Sequence, residues 1–156
     1  LGIGFHEVQK VLRHMEQELD RRGHLDVLFF AGMPELVRHL AERFPLYVVT
    51  SNDTRTVEAF LEADGLTGVF REVLGADKGV SKVDKLRAVA ARHPEARPIF
   101  IGDTRGDMAE GRAAEVVTIG VTWGYHPRER LERAQPHYVV DTVEALEALI
   151  AELSLA

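Results

Sequence analysis

Cysteine is absent from this chain of 156 residues, and its absence removes several classes of protein at once. A chain without cysteine has no disulfides, no thiolate metal site and no cysteine nucleophile. The chain also lacks an apolar run of the roughly 20 residues that a membrane-spanning helix needs, and no charged-then-apolar leader opens it. We therefore expect a cytoplasmic protein with no membrane partner.

Basic residues are also fewer than acidic residues. The 19 lysine and arginine residues are outnumbered by 25 aspartate and glutamate residues, which leaves a net charge of -6 at pH 7. A phosphate backbone binds basic surfaces, so nucleic acid is excluded as the expected partner. The remaining composition, 46% hydrophobic and 28% charged, is typical of one globular domain with a buried core.

Short apolar segments alternate with amphipathic ones along the chain. Segments 46–49, 98–101, 116–121 and 137–140 are apolar runs that predict buried strands, and 72–74 predicts a weaker one. Segments with helical spacing of apolar residues separate them, with predicted limits of 5–22, 34–43, 54–63, 81–92, 106–114, 127–134 and 142–153. Apolar strands separated by helices predict a parallel sheet covered on both faces, a three-layer α/β/α Rossmann-like core.

Polar side chains follow the first of these strands. Thr50, Ser51 and Asn52 come directly after it and offer hydroxyls, an amide and free backbone N–H groups at the start of a helix. In parallel sheets ligands bind beyond the carboxyl ends of the strands, and groups of this kind suit a phosphate. Taken alone, these residues together with Asp53 would more commonly cap the helix that follows.

Two carboxylates follow the strand at 98–101. Asp103 and Asp107 lie at the end of the strand and in the first turn of the next helix. Carboxylate oxygens are the ligands that Mg²⁺ prefers. Each aspartate has a structural alternative, as a helix cap or as a favourable charge near a helix N-terminus. Two polar clusters after two separate parallel strands favour one functional site over two unrelated caps.

Three of the four lysines lie between the two polar clusters. A cation on this segment would hold a substrate phosphate or steady a carboxylate. Among Lys78, Lys82 and Lys85 we predict that Lys82 faces the site, because it lies in the first turn of its helix. We expect Lys85 to face solvent.

These clusters, in this order, resemble motifs two, three and four of the haloacid dehalogenase superfamily. The matching segments are 49–52, 81–85 and 101–108. Segment 120–126, with the sequence Gly-Val-Thr-Trp-Gly-Tyr-His, resembles the phosphoglycolate-phosphatase-like branch. Segment 31–36 stands where that branch enters its core domain, with an alanine in place of the branch's first proline.

The resemblance implies a Mg²⁺-dependent hydrolase that acts on a small phosphate monoester. Thr50 would donate a hydrogen bond to the phosphoryl group, helped by the backbone N–H groups of the next two residues. Lys82 would neutralise phosphate charge and hold the nucleophile's carboxylate. Asp103 would bind Mg²⁺ directly, and Asp107 would bind it directly or through water. Residues 1–30 would be a partial helical cap, and residues 31–156 would be the core lacking its first strand.

The chain contains no Asp-x-Asp sequence, which is the family's first motif and carries its nucleophile. Asp26 is the nearest imitation, but it precedes an apolar run instead of following one. In the family the first strand lies between the strands that end here at Thr50 and Gly102. The chain by itself is therefore expected to be inactive, with a gap in its sheet.

Three explanations for this gap stay open. The natural protein extends upstream, residues 1–5 fill the gap as a makeshift strand, or strands are exchanged within a homo-oligomer. Two alternative functions also stay open. One is a non-catalytic interaction module that binds metal or phosphate, and the other is a true haloacid dehalogenase, against which the aspartate pair counts.

Overall fold

The computed structural model describes residues 30–155, which form six α-helices and five β-strands. The helices are α1 (Met33–Ala41), α2 (Thr54–Ala63), α3 (Lys82–Ala91), α4 (Arg105–Ala113), α5 (Arg128–Glu132) and α6 (Val143–Leu153). The strands are β1 (Tyr47–Val49), β2 (Glu72–Leu74), β3 (Ile99–Gly102), β4 (Val117–Val121) and β5 (Tyr138–Val140). The predicted helix at 5–22, Asp26 and nearly all of the predicted cap segment lie outside the described residues.

The strand pairs within residues 30–155 are all parallel and form two groups. β1 pairs with β2, with Val48 beside Val73, and β3, β4 and β5 pair in that order, with Ile101 beside Ile119. A helix connects each strand to the next, as parallel pairing requires. The predicted parallel α/β class is therefore confirmed. None of the helices in these residues is long and apolar enough to cross a membrane.

The described elements begin and end close to their predicted limits. Capping explains where helices α3 and α4 begin. The Ser81 hydroxyl accepts a hydrogen bond from the Asp84 N–H, so α3 begins directly after Ser81, as predicted. Helix α4 begins before Gly106 because Thr104 is its cap, with a hydroxyl that accepts from the Asp107 N–H. Asp103 itself therefore does not cap this helix.

β4 is the most deeply buried strand, because it has a paired strand on each side. β1 and β3 are only half-buried along their lengths. Within residues 30–155, β1 is paired only with β2 and β3 only with β4, so each has one edge without a strand partner. These are the two strands between which the first strand of the family was expected.

Helices α1 and α3 connect the two groups of strands. On α1, Leu36 packs in the core cluster of β4 and β5, and Val37 packs in the cluster around β2. On α3, Leu86 belongs to a cluster that also holds Val49 of β1 and Phe100 of β3. The residues on either side of Phe100 pack in the α1 cluster. Because neighbouring residues of a strand face opposite sides, α1 and α3 cover opposite faces.

Candidate active site

Asp103 follows β3 and is held by the turn that contains segment 122–126. Its Oδ2 accepts a hydrogen bond from the Tyr125 N–H at 2.8 Å, and its carbonyl oxygen accepts one from the His126 N–H at 3.0 Å. The Arg105 N–H in turn donates to His126 Nδ1 at 2.8 Å. A side chain on Gly124 would overlap the Asp103 carboxylate, so this backbone passes directly against it. No described residue donates to the other oxygen, Oδ1.

Asp107 is buried, with 8% of its surface exposed, and both of its oxygens have protein partners. Oδ2 accepts from the Thr104 N–H at 3.1 Å and from the Thr104 hydroxyl at 2.7 Å, which completes a capping box at the start of α4. Oδ1 accepts from Lys82 Nζ at 2.6 Å. A carboxylate offers about four lone-pair sites, and three are occupied here. The structural role considered for Asp107 is therefore real.

Lys82 lies at the start of α3 and contacts the carboxylates of α4. Its Nζ is 2.6 Å from Asp107 Oδ1 and 3.2 Å from Glu110 Oε2, and 13% of its side chain is exposed. Burial opposes the charged form, but the hydrogen bonds and charges of Asp107 and Glu110 outweigh it, so the pKa of Lys82 lies above its usual value. Lys82 therefore carries a firmly held positive charge.

The expectation that Lys85 faces solvent is wrong. Lys85 is 4% exposed, and its Nζ donates to the carbonyl oxygens of Gly75 at 2.6 Å and Thr50 at 3.3 Å. Residues three apart on a helix share a face, so the inward direction of Lys82 also turns Lys85 inward. Lys78, in the short 3₁₀ helix Ala76–Lys78, is exposed.

The loop after β1, residues 50–53, is called here the Thr50 loop. Thr50 is half-buried, and its hydroxyl oxygen accepts a hydrogen bond from the Asn52 N–H at 3.1 Å, while Ser51 and Asn52 are exposed. The Asp53 carboxylate caps α2 through the Thr56 N–H at 3.0 Å. Capping by this loop is therefore the work of Asp53, and the Thr50 hydroxyl hydrogen and the Ser51 N–H have no acceptor among the described residues.

Helix α3 links the two polar clusters through two lysines that lie about one helical turn apart. Lys82 contacts Asp107 beyond β3, and Lys85 contacts Thr50 beyond β1. Side chains three positions apart on a helix have Cβ atoms roughly 5 to 6 Å apart. The ends of β1 and β3 therefore lie on the same side of the molecule, as expected for a site at the carboxyl ends of parallel strands.

The chemistry of these residues fits part of a Mg²⁺ site. Asp103 offers a free carboxylate oxygen, and Asp107 offers one remaining lone-pair position beside Lys82, which suits a water-mediated contact. Within residues 30–155, no three histidine, aspartate or glutamate side chains converge as a complete ligand set would. The described residues therefore offer carboxylate oxygens that suit Mg²⁺, but not a complete set of ligands.

Sequence reasoning missed two features of this site. The turn around Gly124 was noticed only as part of a family resemblance. The glycine itself was a signal, because a residue without a Cβ lets its backbone approach other groups closely. The second missed feature is the burial of Lys85. Its signal was the three-residue spacing from Lys82, which places both lysines on one face of the helix.

Comparisons with known proteins concern the sequence and the fold. A sequence profile described as haloacid dehalogenase-like hydrolase matches residues 4–121. The chain is 29% identical over 127 residues to the phosphoglycolate phosphatase of Synechococcus elongatus. The matched segment covers 80% of this chain and 60% of that protein. It is 35% identical over 126 residues to a protein of Dickeya dadantii named probable phosphatase IndB, which covers 74% of this chain and 53% of that protein.

The chain thus spans between half and two thirds of the length of these two relatives. Among solved structures, its fold is similar to that of a haloacid dehalogenase-like family hydrolase from Streptococcus pneumoniae. The TM-score is 0.76 at 22% identity, over 95% of this chain and 72% of that one. At this identity the likeness concerns the fold alone. The profile match extends over most of the sequence, and the chain belongs to the haloacid dehalogenase-like hydrolase family.

Proposed function

We propose that this chain is the core part of a Mg²⁺-dependent phosphatase that hydrolyses a small phosphate monoester. The observation that carries the proposal is the largely enclosed ion pair of Lys82 and Asp107, whose charged atoms are 2.6 Å apart. Asp107 lies four residues after Asp103 in the sequence. Transfer of a phosphoryl group requires neutralisation of its negative oxygens, and catalysis of this reaction is mostly positioning and charge stabilisation. Lys82 and a cation held by Asp103 at the end of β3 would together supply the positioning and the positive charge.

Each residue has a distinct role in this proposal. Asp103 would hold the cation through its free oxygen, and Asp107 would reach it through water while it orients Lys82. Lys82 would neutralise the substrate phosphate. Thr50 would donate its hydroxyl hydrogen to a phosphoryl oxygen, beside the Ser51 N–H. Bound Mg²⁺ would supply the positive charge that stabilises the phosphoryl oxygens.

The names of the relatives support the substrate class. One is a phosphoglycolate phosphatase and the other a probable phosphatase. We extend these names to propose that a small phosphorylated metabolite, with a phosphorylated acid as the first choice, is the partner of this chain. A cytoplasmic location and a homo-oligomer that exchanges strands stay predictions.

The alternative function is a non-catalytic module that binds Mg²⁺ or phosphate. It is favoured by the absence of any Asp-x-Asp sequence in the chain. Hydrolysis through an aspartyl-phosphate needs one aspartate to attack phosphorus and a second to exchange protons. The coding sequence upstream of Leu1 discriminates the two functions, because an Asp-x-Asp after an apolar strand there favours the enzyme.

Calorimetric titration with Mg²⁺ tests the metal part of the proposal. The unsubstituted chain is expected to bind Mg²⁺, and Asp103→Asn is expected to weaken binding by about tenfold or more, because the free carboxylate oxygen becomes an amide. Asp84→Asn is the matched control, since Asp84 is exposed and its carboxylate binds the Ser81 hydroxyl. Equal Mg²⁺ affinity in the Asp103→Asn chain and the unsubstituted chain would contradict the proposal.

A further inference from the structure

Helix α3 carries a second buried lysine to which the proposed function gives no role. Lys85 is 4% exposed, and its Nζ donates to the carbonyl oxygens of Gly75 at 2.6 Å and Thr50 at 3.3 Å. Gly75 directly follows β2, and Thr50 directly follows β1. A single ammonium group therefore joins the ends of two neighbouring strands.

The partners of Lys85 differ in kind from those of Lys82. Lys82 pairs with the carboxylates of Asp107 and Glu110, whereas Lys85 has no carboxylate within 4.0 Å among residues 30–155. Burial of a charge costs free energy unless the charge is paired and hydrogen-bonded, and two carbonyl dipoles offset this cost only in part. The positive charge of Lys85 therefore acts on whatever lies beyond the two strand ends, where it favours an anion.

The Thr50 loop is fixed to the turn after β2 by further contacts. The Ala76 N–H donates to the Asn52 carbonyl oxygen at 2.8 Å, and the Thr54 N–H and hydroxyl donate to Asp77 Oδ1 at 2.8 and 2.6 Å. A side chain on Gly75 would overlap the Thr54 backbone nitrogen, so the two backbones touch there. A displacement of Gly75 would consequently displace the loop.

We propose that Lys85 is a positioning residue for phosphate, which holds the Thr50 loop in place and adds a positive charge behind it. This inference rests on the proposed function, because it requires a phosphate to bind beyond β1. By holding the loop, Lys85 would position its two hydrogen-bond donors, the Thr50 hydroxyl and the Ser51 N–H. Helix α3 then supplies two cations to one anion site, Lys82 from the Asp107 side and Lys85 from the Thr50 side.

The test replaces the ammonium with an apolar chain of similar length, Lys85→Met, and uses inorganic phosphate with Mg²⁺ as the probe. Hydrogen exchange of the Thr50 and Ala76 N–H groups reports on the loop, and the phosphate-induced NMR shift of the Ser51 amide reports on binding. In Lys85→Met we expect exchange of both N–H groups to be about tenfold faster and the phosphate Kd to rise about tenfold, because two carbonyls lose a charged donor.

Two controls separate this role from general stability. Lys78→Met makes the same change on an exposed lysine of the neighbouring turn, and is expected to leave exchange and phosphate affinity unchanged. Leu86→Ala removes a buried apolar side chain next to Lys85, and is expected to lower the melting temperature while the phosphate Kd stays the same. Lys85→Arg restores the charge and is expected to regain phosphate affinity. Should Lys85→Met not fold, Lys85→Gln replaces it in every measurement.

Unchanged exchange rates of the Thr50 and Ala76 N–H groups in Lys85→Met would overturn the inference, whatever the phosphate Kd. Faster exchange with an unchanged phosphate Kd would overturn it as well, because the residue would then be structural. A failure of the unsubstituted chain to bind phosphate would contradict the proposed function, and the exchange rates would still decide whether Lys85 holds the loop.

Discussion

Asp103 and Asp107 show how two identical side chains acquire different chemistry from their surroundings. Asp103 has one oxygen bound to the Tyr125 N–H and one without a described donor. Asp107 has its oxygens bound to Thr104 and Lys82. A hard cation requires an oxygen that can give up its other partners. In the proposed function the direct contact with Mg²⁺ therefore falls to Asp103, while Asp107 orients Lys82.

Asp107→Ala is expected to lower the free energy of unfolding by about 2 to 4 kcal/mol. The substitution leaves the partly buried Lys82 ammonium with only Glu110 and removes the acidic half of the capping box. Urea denaturation measures the loss. Glu132→Ala, which breaks the exposed pair of Glu132 with Arg128 at 3.1 Å, is the control and should cost far less. Equal losses in the two variants would show that the Lys82 pair adds nothing to stability.

Gly124→Ala is expected to weaken Mg²⁺ binding by about tenfold. The added Cβ would overlap the Asp103 carboxylate, which must then leave its position against the Tyr125 N–H. Calorimetric titration with Mg²⁺ measures the change. Gly106→Ala serves as the control, because the nearest atom that its Cβ would meet is the Thr104 hydroxyl oxygen at 3.5 Å, and alanine favours a helix. Unchanged affinity in Gly124→Ala would mean that the turn does not position Asp103.

At the scale of secondary-structure elements, the site is assembled by the starts of helices that follow parallel strands. Ser81 sets the start of α3, and the spacing within its first turn sends Lys82 and Lys85 inward together. Thr104 caps the start of α4, and the Asp107 side chain accepts a hydrogen bond from the Thr104 backbone N–H in return. Asp77 adds a further link between the segments after β1 and β2, because it accepts hydrogen bonds from the Thr54 N–H and hydroxyl.

Asp77→Asn is expected to lower the melting temperature at neutral pH, and the difference from the unsubstituted chain should shrink in acid. Hydrogen bonds from the Thr54 hydroxyl and N–H hold the pKa of Asp77 below its usual value of 3.8. A lowered folded pKa adds stability that is fully present above about pH 3.8 and is lost as the pH falls through the folded value.

Thermal unfolding of both chains across this range checks the prediction, with Asp84→Asn as the control on an exposed aspartate that does not contact Thr54. A gap in melting temperature that stays constant from pH 7 to below the folded pKa of Asp77 would contradict the electrostatic origin.

At the scale of the whole molecule, helices connect the two groups of parallel strands found within residues 30–155. Leu36 and Val37 of α1 pack on different groups, and Leu86 of α3 packs with Val49 and Phe100. Within residues 30–155, β1 and β3 each keep one edge without a partner. The site residues sit at the ends of these two strands, so the part of the site that the family's first motif would supply belongs between them.

The 156-residue chain is expected to show no measurable Mg²⁺-dependent hydrolysis of p-nitrophenyl phosphate. The chain contains no Asp-x-Asp sequence, so no aspartate is available in that arrangement to attack phosphorus. The Synechococcus phosphoglycolate phosphatase, assayed in parallel, is the positive control for the assay. Robust turnover by this chain that disappears in Asp103→Asn would contradict the expected inactivity.

The parallel α/β class was predictable from the sequence because its signals are local. Runs such as 98–101 and 116–121 are apolar throughout, and only strands covered on both faces need that composition. The polar residues directly after these runs then fall at the carboxyl ends of strands, which placed Thr50 and Asp103 correctly relative to the sheet. The start of α3 at Ser81 was likewise a local capping signal.

The fold class, the order of the motifs and the family could thus be predicted from the sequence, because each depends on the identity of neighbouring residues. Which groups meet depends on the tertiary structure. It turned Lys85 inward to the carbonyls of Thr50 and Gly75, and it placed the Gly124 turn against Asp103. These contacts join segments that are distant along the chain, so their geometry depends on how helices pack across the sheet and not on any local pattern.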